Sequence, residues 1–134
     1  MPLGKVHMPA IWDIESSGNP KAYNAKEKAV GLGQVRPDVT LDWNRYHPEN
    51  PIAHEDLFEP VVNTTVSDWY MNTFIPRALL QKGIPDTMEN RILSYNGGVG
   101  NVINGTISDK AKAYLIKYQT RMASPRFRAL QRSK

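Results

Sequence analysis

The stretch from Ile11 to Pro37, IWDIESSGNPKAYNAKEKAVGLGQVRP, constrains this chain more than any other. Pro9 suits the first turn of a helix, where its missing N–H costs nothing. Ile11, Trp12 and Ile14 supply apolar positions before a single carboxylate, Glu15, and Gly18 with Asn19-Pro20 stops the helix. Lys21 to Lys28 is polar and without period, so it reads as a loop. Ala29 to Val35 is Gly-rich and too short for a helix. A carboxyl at a helix end, faced by a backbone opened by Gly31 and Gly33 and carrying the Gln34 amide, is an arrangement suited to general-acid chemistry.

The rest of the chain reads as helices that would wall a groove around that carboxyl. Pro37 opens a second helix with Val39, Leu41 and Trp43 or Tyr46 as its inner face. Tyr46 to Pro60 holds three prolines and reads as an extended crossing loop. From Glu59 to Gln81, Val62, Val66, Trp69, Tyr70, Phe74 and Leu79 recur near a period of 3.6, and Pro76 should kink or split that helix. Lys82-Gly83 ends it, and Pro85-Asp86 starts another with Met88, Ile92, Leu93 and Tyr95. Asn96-Gly97-Gly98-Val99-Gly100-Asn101 reads as a second Gly-rich loop. Ser108 is a good N-cap for a last helix from Asp109 to about Ala123, with Ala111, Tyr114, Leu115 and Tyr118 on one side. The fold class is mainly α.

At 134 residues the chain is expected to be one domain, long enough for a single core but not for two. The absence of cysteine removes thiol nucleophiles, disulfides and thiolate metal sites. His7, His47 and His54 are scattered, with no metal-ligand spacing. No apolar run approaches the ~20 residues of a membrane span, and the N-terminal stretch has no long apolar core of the kind a secretory signal needs. Five of the 17 Lys and Arg (Arg121, Arg126, Arg128, Arg132 and Lys134) gather at the C-terminal end, leaving 12 bases against 13 acids elsewhere. Such an end can bind an anionic wall polymer or an acidic protein partner, or simply be solvated. Only Phe127 interleaves an aromatic ring among these charges, which speaks against nucleic acid.

Four segments carry a family likeness. Glu15-Ser16 with Asn19-Pro20 and Ala22, Gly31-Leu32-Gly33-Gln34, Leu57-Phe58-Glu59-Pro60 with Asn63, and Tyr95-Asn96-Gly97-Gly98 stand in the order and at roughly the spacing of the soluble lytic transglycosylase domain of the lysozyme superfamily. The resemblance covers about Ala10 to Tyr118, and Tyr114 falls where that family has a late groove tyrosine. Three residues depart from the pattern: Gly33 replaces the Met of GLMQ, Gly97 replaces the second Ala of AYNAG, and Lys28 stands where a Gly is usual, in a loop one residue longer.

The resemblance implies a mainly α, lysozyme-like single domain of the goose-type lysozyme and lytic transglycosylase kind, spanning 1–123, with a basic tail at 124–134. It implies an enzyme on peptidoglycan glycan strands that cleaves the MurNAc–GlcNAc β-1,4 bond and forms 1,6-anhydroMurNAc, without cofactor or metal. Glu15 would be the sole catalytic group, first as acid and then as base, with substrate bound by Ser16, Gln34, Tyr95, Asn96 and Tyr114. Each of these residues also has a plainer reading. Glu15 could be a surface carboxylate and Ser16 or Gln34 a turn residue. Tyr95 and Tyr114 could be core, and Asn96 a helix C-cap. Trp12, Trp43 and Trp69 could stack on sugars or pack the core.

A second working carboxylate would favour plain hydrolysis. Asp13 lies on a different helix face from Glu15, while Glu27 in the polar loop stays open. Two alternatives stand beside the leading reading: a goose-type muramidase that uses water, and a structural wall-penetrating component of a phage virion or secretion machine, docked through the basic tail. The site of action would be the bacterial cell wall or periplasm, reached as part of a virion or with a partner.

Overall fold

A computed structural model describes residues 4–125 and 127. Helices dominate: α1 (Met8–Ser16), α2 (Pro37–Tyr46), α3 (Pro60–Trp69), α4 (Ile75–Gln81), α5 (Met88–Gly97), α6 (Val99–Asn104) and α7 (Asp109–Ala123), with one small hairpin, β1 (Tyr23–Asn24) and β2 (Ala29–Val30). The chain divides into two compact units. One draws on Met1–Ala10 and Met71–Lys134, the other is Ile11–Tyr70.

In the Ile11–Tyr70 unit, α1 begins near Pro9 and ends before Gly18, as its sequence predicts, with Ser17 and Gly18 in the left-handed region (φ +54° and +76°). The segment expected to be a featureless loop instead folds back as the antiparallel hairpin, pairing Tyr23 with Val30 and Asn24 with Ala29. Side-chain chemistry makes this turn. Asn24 Oδ1 accepts the amides of Lys26 and Glu27, and Lys28 takes φ +53°. On α2 the inner face is Val39 and Thr40, whereas Leu41 is 70% exposed. Residues two apart point to different sides of a helix, so Val39 faces inward and the expected inner residue Leu41 faces outward.

The crossing loop after α2 contains a 3-10 turn, His54–Phe58, that buries Leu57. His54 clamps it. Its Nε2 lies 2.6 Å from the Lys28 carbonyl, which can only accept, so that nitrogen carries the proton; Nδ1 then accepts from the Thr40 hydroxyl at 2.8 Å. Among the aromatic side chains, Trp43 stacks on His47 at 3.6 Å, and Trp69 meets both rings edge-on. The Trp43 Nε1–H donates to the Asn50 carbonyl, so this cluster fastens the loop after α2.

The predicted long helix from Glu59 to Gln81 is interrupted ahead of Pro76, by a π-helical turn at Tyr70–Phe74 between α3 and α4, and Pro76 itself lies in the first turn of α4. Proline cannot donate to the carbonyl four residues back and its ring crowds that turn, and widening the helix relieves both problems.

In the other unit, α4 ends in a Schellman motif: Ile84 N–H donates to Leu79 O at 2.9 Å and Gly83 N–H to Leu80 O at 3.1 Å, with Gly83 at φ +72°. The next helix does not start at Pro85-Asp86. Thr87 caps it, accepting from Asn90 N–H, while Asp86 pairs with the buried Arg91 through two contacts of 2.6 and 2.8 Å. Arg91 Nη1 also donates to Gly4 O and Asn72 Oδ1, and Asn72 Oδ1 accepts Val6 N–H at 2.8 Å. The Gly-rich segment after Tyr95 is mostly helical: α5 runs through Gly97, Gly98 breaks it at φ +95°, and α6 follows at once. The last helix has the predicted limits and the predicted cap, Ser108 Oγ accepting from Ala111 N–H. Arg126, Arg128, Arg132 and Lys134 of the predicted basic tail lie outside the described residues, whereas Phe127 is buried, edge-on to His7.

Candidate active site

Six residues singled out in the sequence fall on both units, and each group has its own support. In the Ile11–Tyr70 unit, Glu15 and Ser16 are half-buried residues closing α1. The Ser16 hydroxyl donates to the Trp12 carbonyl at 3.0 Å, so its proton is spent on its own helix.

Gln34 closes a tight loop. Val30 and Val35 exchange two backbone hydrogen bonds of 3.0 Å around Gly31-Leu32-Gly33-Gln34, and Gln34 itself takes φ +49°. A non-glycine residue there is uncommon and persists only when its surroundings fix it. Its side chain contributes: Nε2 donates to Ala22 O at 3.2 Å and to Gly31 O at 3.1 Å. With both amide hydrogens engaged, Gln34 can offer a ligand only its Oε1 acceptor.

Asn63, buried in α3, holds the same loop from outside. Its Oδ1 accepts Gly33 N–H at 2.8 Å, and its Nδ2 donates to Val30 O at 2.8 Å and Leu57 O at 2.9 Å. Gly31 has φ +73°, and a Cβ on it would stand 2.5 Å from both Asn63 Nδ2 and Leu57 O. Only glycine satisfies both demands. One turn further along α3, Ser67 Oγ donates to Asn63 O at 2.7 Å and accepts Trp12 Nε1–H at 2.9 Å. Helix α3 thus ties down both the loop that bears Gln34 and the helix that ends in Glu15. The motif spacing flags Asn63, but nothing in the sequence flags Ser67, because its partner is 55 residues away.

A small charge cluster follows the loop. Arg36 lies 4.0 Å from Glu27 and 3.7 Å from Asp38, and it hydrogen-bonds Tyr70. Glu27, the candidate second carboxylate, therefore faces a guanidinium. Burial pushes the Tyr70 hydroxyl up to about 12, against the opposing pull of Arg36. Burial also raises Asp42 above the usual aspartate range, with its Arg45 partner acting the other way.

In the other unit, Tyr95 and Tyr114 are buried on α5 and α7, and Asn96 is half-buried on the last turn of α5. Asn96 is not a C-cap, since the helix passes through it to Gly97. The two helices approach closely there, a Cβ on Gly97 falling 2.9 Å from the Ala111 Cβ. Tyr118, one turn beyond Tyr114, is structural: its hydroxyl accepts His7 N–H at 3.0 Å, and burial raises it above the usual tyrosine value, against the effect of that bond.

Among the described residues, no three His, Cys, Asp or Glu side chains are grouped to hold a metal ion, and no helix is long and apolar enough to cross a membrane. No curated protein and no solved structure matches the chain. The family model described as the transglycosylase SLT domain matches residues 5–117, a span that contains Glu15, Gln34, Asn63, Tyr95 and Tyr114. The chain therefore belongs to the transglycosylase SLT domain family, with its mainly helical, lysozyme-like fold and its glycosidic-bond-cleaving activity on peptidoglycan.

Proposed function

We propose that the protein is a lytic transglycosylase that cleaves the MurNAc–GlcNAc β-1,4 bond of peptidoglycan with Glu15 as its only working carboxyl. The observation that carries this reading is the half-buried position of Glu15 on the last turn of α1, while Glu27 faces Arg36.

In the first step Glu15 gives that proton to the glycosidic oxygen as the C1–O bond breaks, and the carbonyl oxygen of the muramic acetamido group closes on C1. In the second step the Glu15 carboxylate takes the proton of the sugar's own 6-hydroxyl. O6 then displaces the acetamido oxygen from C1, which gives the 1,6-anhydro product without water. Substrate-assisted routes of this kind need one carboxyl where most glycosidases need two. Gln34 supports the reading through its Oε1, an acceptor for a hydroxyl or amide N–H of the glycan, and Ser16, Tyr95, Asn96 and Tyr114 are proposed as the remaining substrate contacts.

The test is mass analysis of fragments released from purified sacculi. Anhydro-muramic ends are expected from the wild type, and loss of release by at least about 100-fold from Glu15→Gln with an unchanged melting temperature. Reducing, water-added ends would instead favour the muramidase reading, and a fully active Glu15→Gln would remove Glu15 from the chemistry.

A further inference from the structure

We propose that Asn63 and Ser67 of α3 are a positioning pair for the site: Ser67 sets the helix end that carries Glu15, and Asn63 sets the loop that carries Gln34. The inference rests on the reading of Glu15 and Gln34 given above. Both residues are fully buried and lie one turn apart on one helix, and neither is proposed to touch substrate.

Each acts through a short chain of hydrogen bonds. Ser67 accepts from the Trp12 indole N–H, and Trp12 stands three residues before Glu15, on the turn whose carbonyl also receives the Ser16 hydroxyl. Asn63 uses its acceptor and both donors on three different main-chain segments: Gly33 in the loop, Val30 at its base, and Leu57 at the end of the 3-10 turn. That leaves the loop no alternative seating, because Gly31 is packed directly against the Asn63 amide. Gln34 stays in its left-handed conformation because the loop is fixed on both sides. The Ser67 hydroxyl, bonded to the Asn63 carbonyl, links the two arms within one turn of helix. A general acid must sit within hydrogen-bond reach of the bond it protonates, and a displacement of about 1 Å can cost up to about 100-fold in rate.

The test uses the full chain with soluble, uncrosslinked glycan strands, and separates kcat from KM per folded molecule. Ser67→Ala is expected to lower kcat about tenfold with KM within about twofold, because it moves the acid rather than the binding loop. Trp12→Phe should reproduce that loss, and the double variant should lose little more, as one interaction is removed from either side. Ser67→Thr, which keeps the hydroxyl, should restore most of the rate. Asn63→Asp keeps the acceptor but not the donors, and should act mainly on KM, raising it about tenfold. Should that substitution prevent folding, the Ser67 and Trp12 variants decide the Glu15 arm, and Asn63→Ser, which removes the amide at smaller volume, decides the Gln34 arm, a wild-type KM overturning it. Wild-type kcat and KM in Ser67→Ala, alongside an inactive Glu15→Gln, would overturn the positioning role and leave the proposed chemistry standing. An active Glu15→Gln would bring down the reading beneath it.

Discussion

Lys28 shows how a single residue can hold an unfavourable backbone conformation. Its φ of +53° is one that glycine adopts freely. A side chain in that conformation costs roughly 1–2 kcal/mol, while a glycine adds ~0.4–1 kcal/mol of unfolded-state entropy. The carbonyl that His54 grips belongs to the backbone and survives the change. Lys28→Gly should therefore stabilise the protein by about 0.5–1 kcal/mol, read as a rise of a few degrees in melting temperature; a fall would show that the lysine side chain has work of its own.

The candidate site was legible at this scale only as residue types in order. Glu15 at a helix end and Gln34 in a glycine-opened loop are both where their motifs put them. Hydrogen-bond direction was not legible: that Gln34 spends both amide hydrogens on Ala22 and Gly31, or that Glu27 meets Arg36, depends on contacts that no spacing encodes.

Among the elements, α5 and α7 make the sharpest prediction. Replacing a helical glycine by alanine ordinarily gains about 1 kcal/mol. At Gly97 the new Cβ would meet that of Ala111 at 2.9 Å, between two helices that cannot yield independently. Overpacking of this kind costs about 1–3 kcal/mol, so Gly97→Ala should lower the urea midpoint instead of raising it. Adding Ala111→Gly removes the clash, and the double variant should lose less than the sum of the two single changes.

Most elements announced by caps and breakers were read correctly from sequence: Ser108 opens α7, Gly83 closes α4, and the long helix is interrupted just ahead of Pro76, whereas Thr87 and not Pro85-Asp86 opens α5. Those without such marks were not. The hairpin has two-residue strands, one of them exposed, and its turn is made by Asn24 and Lys28. The Gly-rich run at Asn96–Asn101 looked like a loop because glycine is a poor helix former, yet packing of Tyr95 and Val102 carries helix through most of it.

For the whole molecule, the buried tyrosines govern behaviour in alkali. Tyr70 is pushed up to about 12 and Tyr118 is also raised, both chiefly by burial. Since the unfolded chain gives up these protons near pH ~10, the native state holds more protons above that pH. For Tyr70, stability that is fully present below pH ~10 is then lost as pH climbs toward 12, by ~1.4 kcal/mol per pH unit, and Tyr118 acts in the same direction. Urea midpoints taken between pH 8 and 11.5 should fall on the alkaline side, and Tyr70→Phe should flatten that slope; an unchanged slope would mean that the Tyr70 hydroxyl is not buried in solution.

The two units differ in how far apart along the chain their hydrogen-bonded partners lie. Residues 11–70 are one uninterrupted run, and every partner of Asn63 and Ser67 lies inside it, so this part can close while the ribosome is still at work. The opening residues have no such privilege. Gly4, Val6 and His7 offer their backbone to Arg91, Asn72 and Tyr118, the last of these 111 positions away. Residues 4, 6 and 7 meet these partners only once residues 91, 72 and 118 have been made.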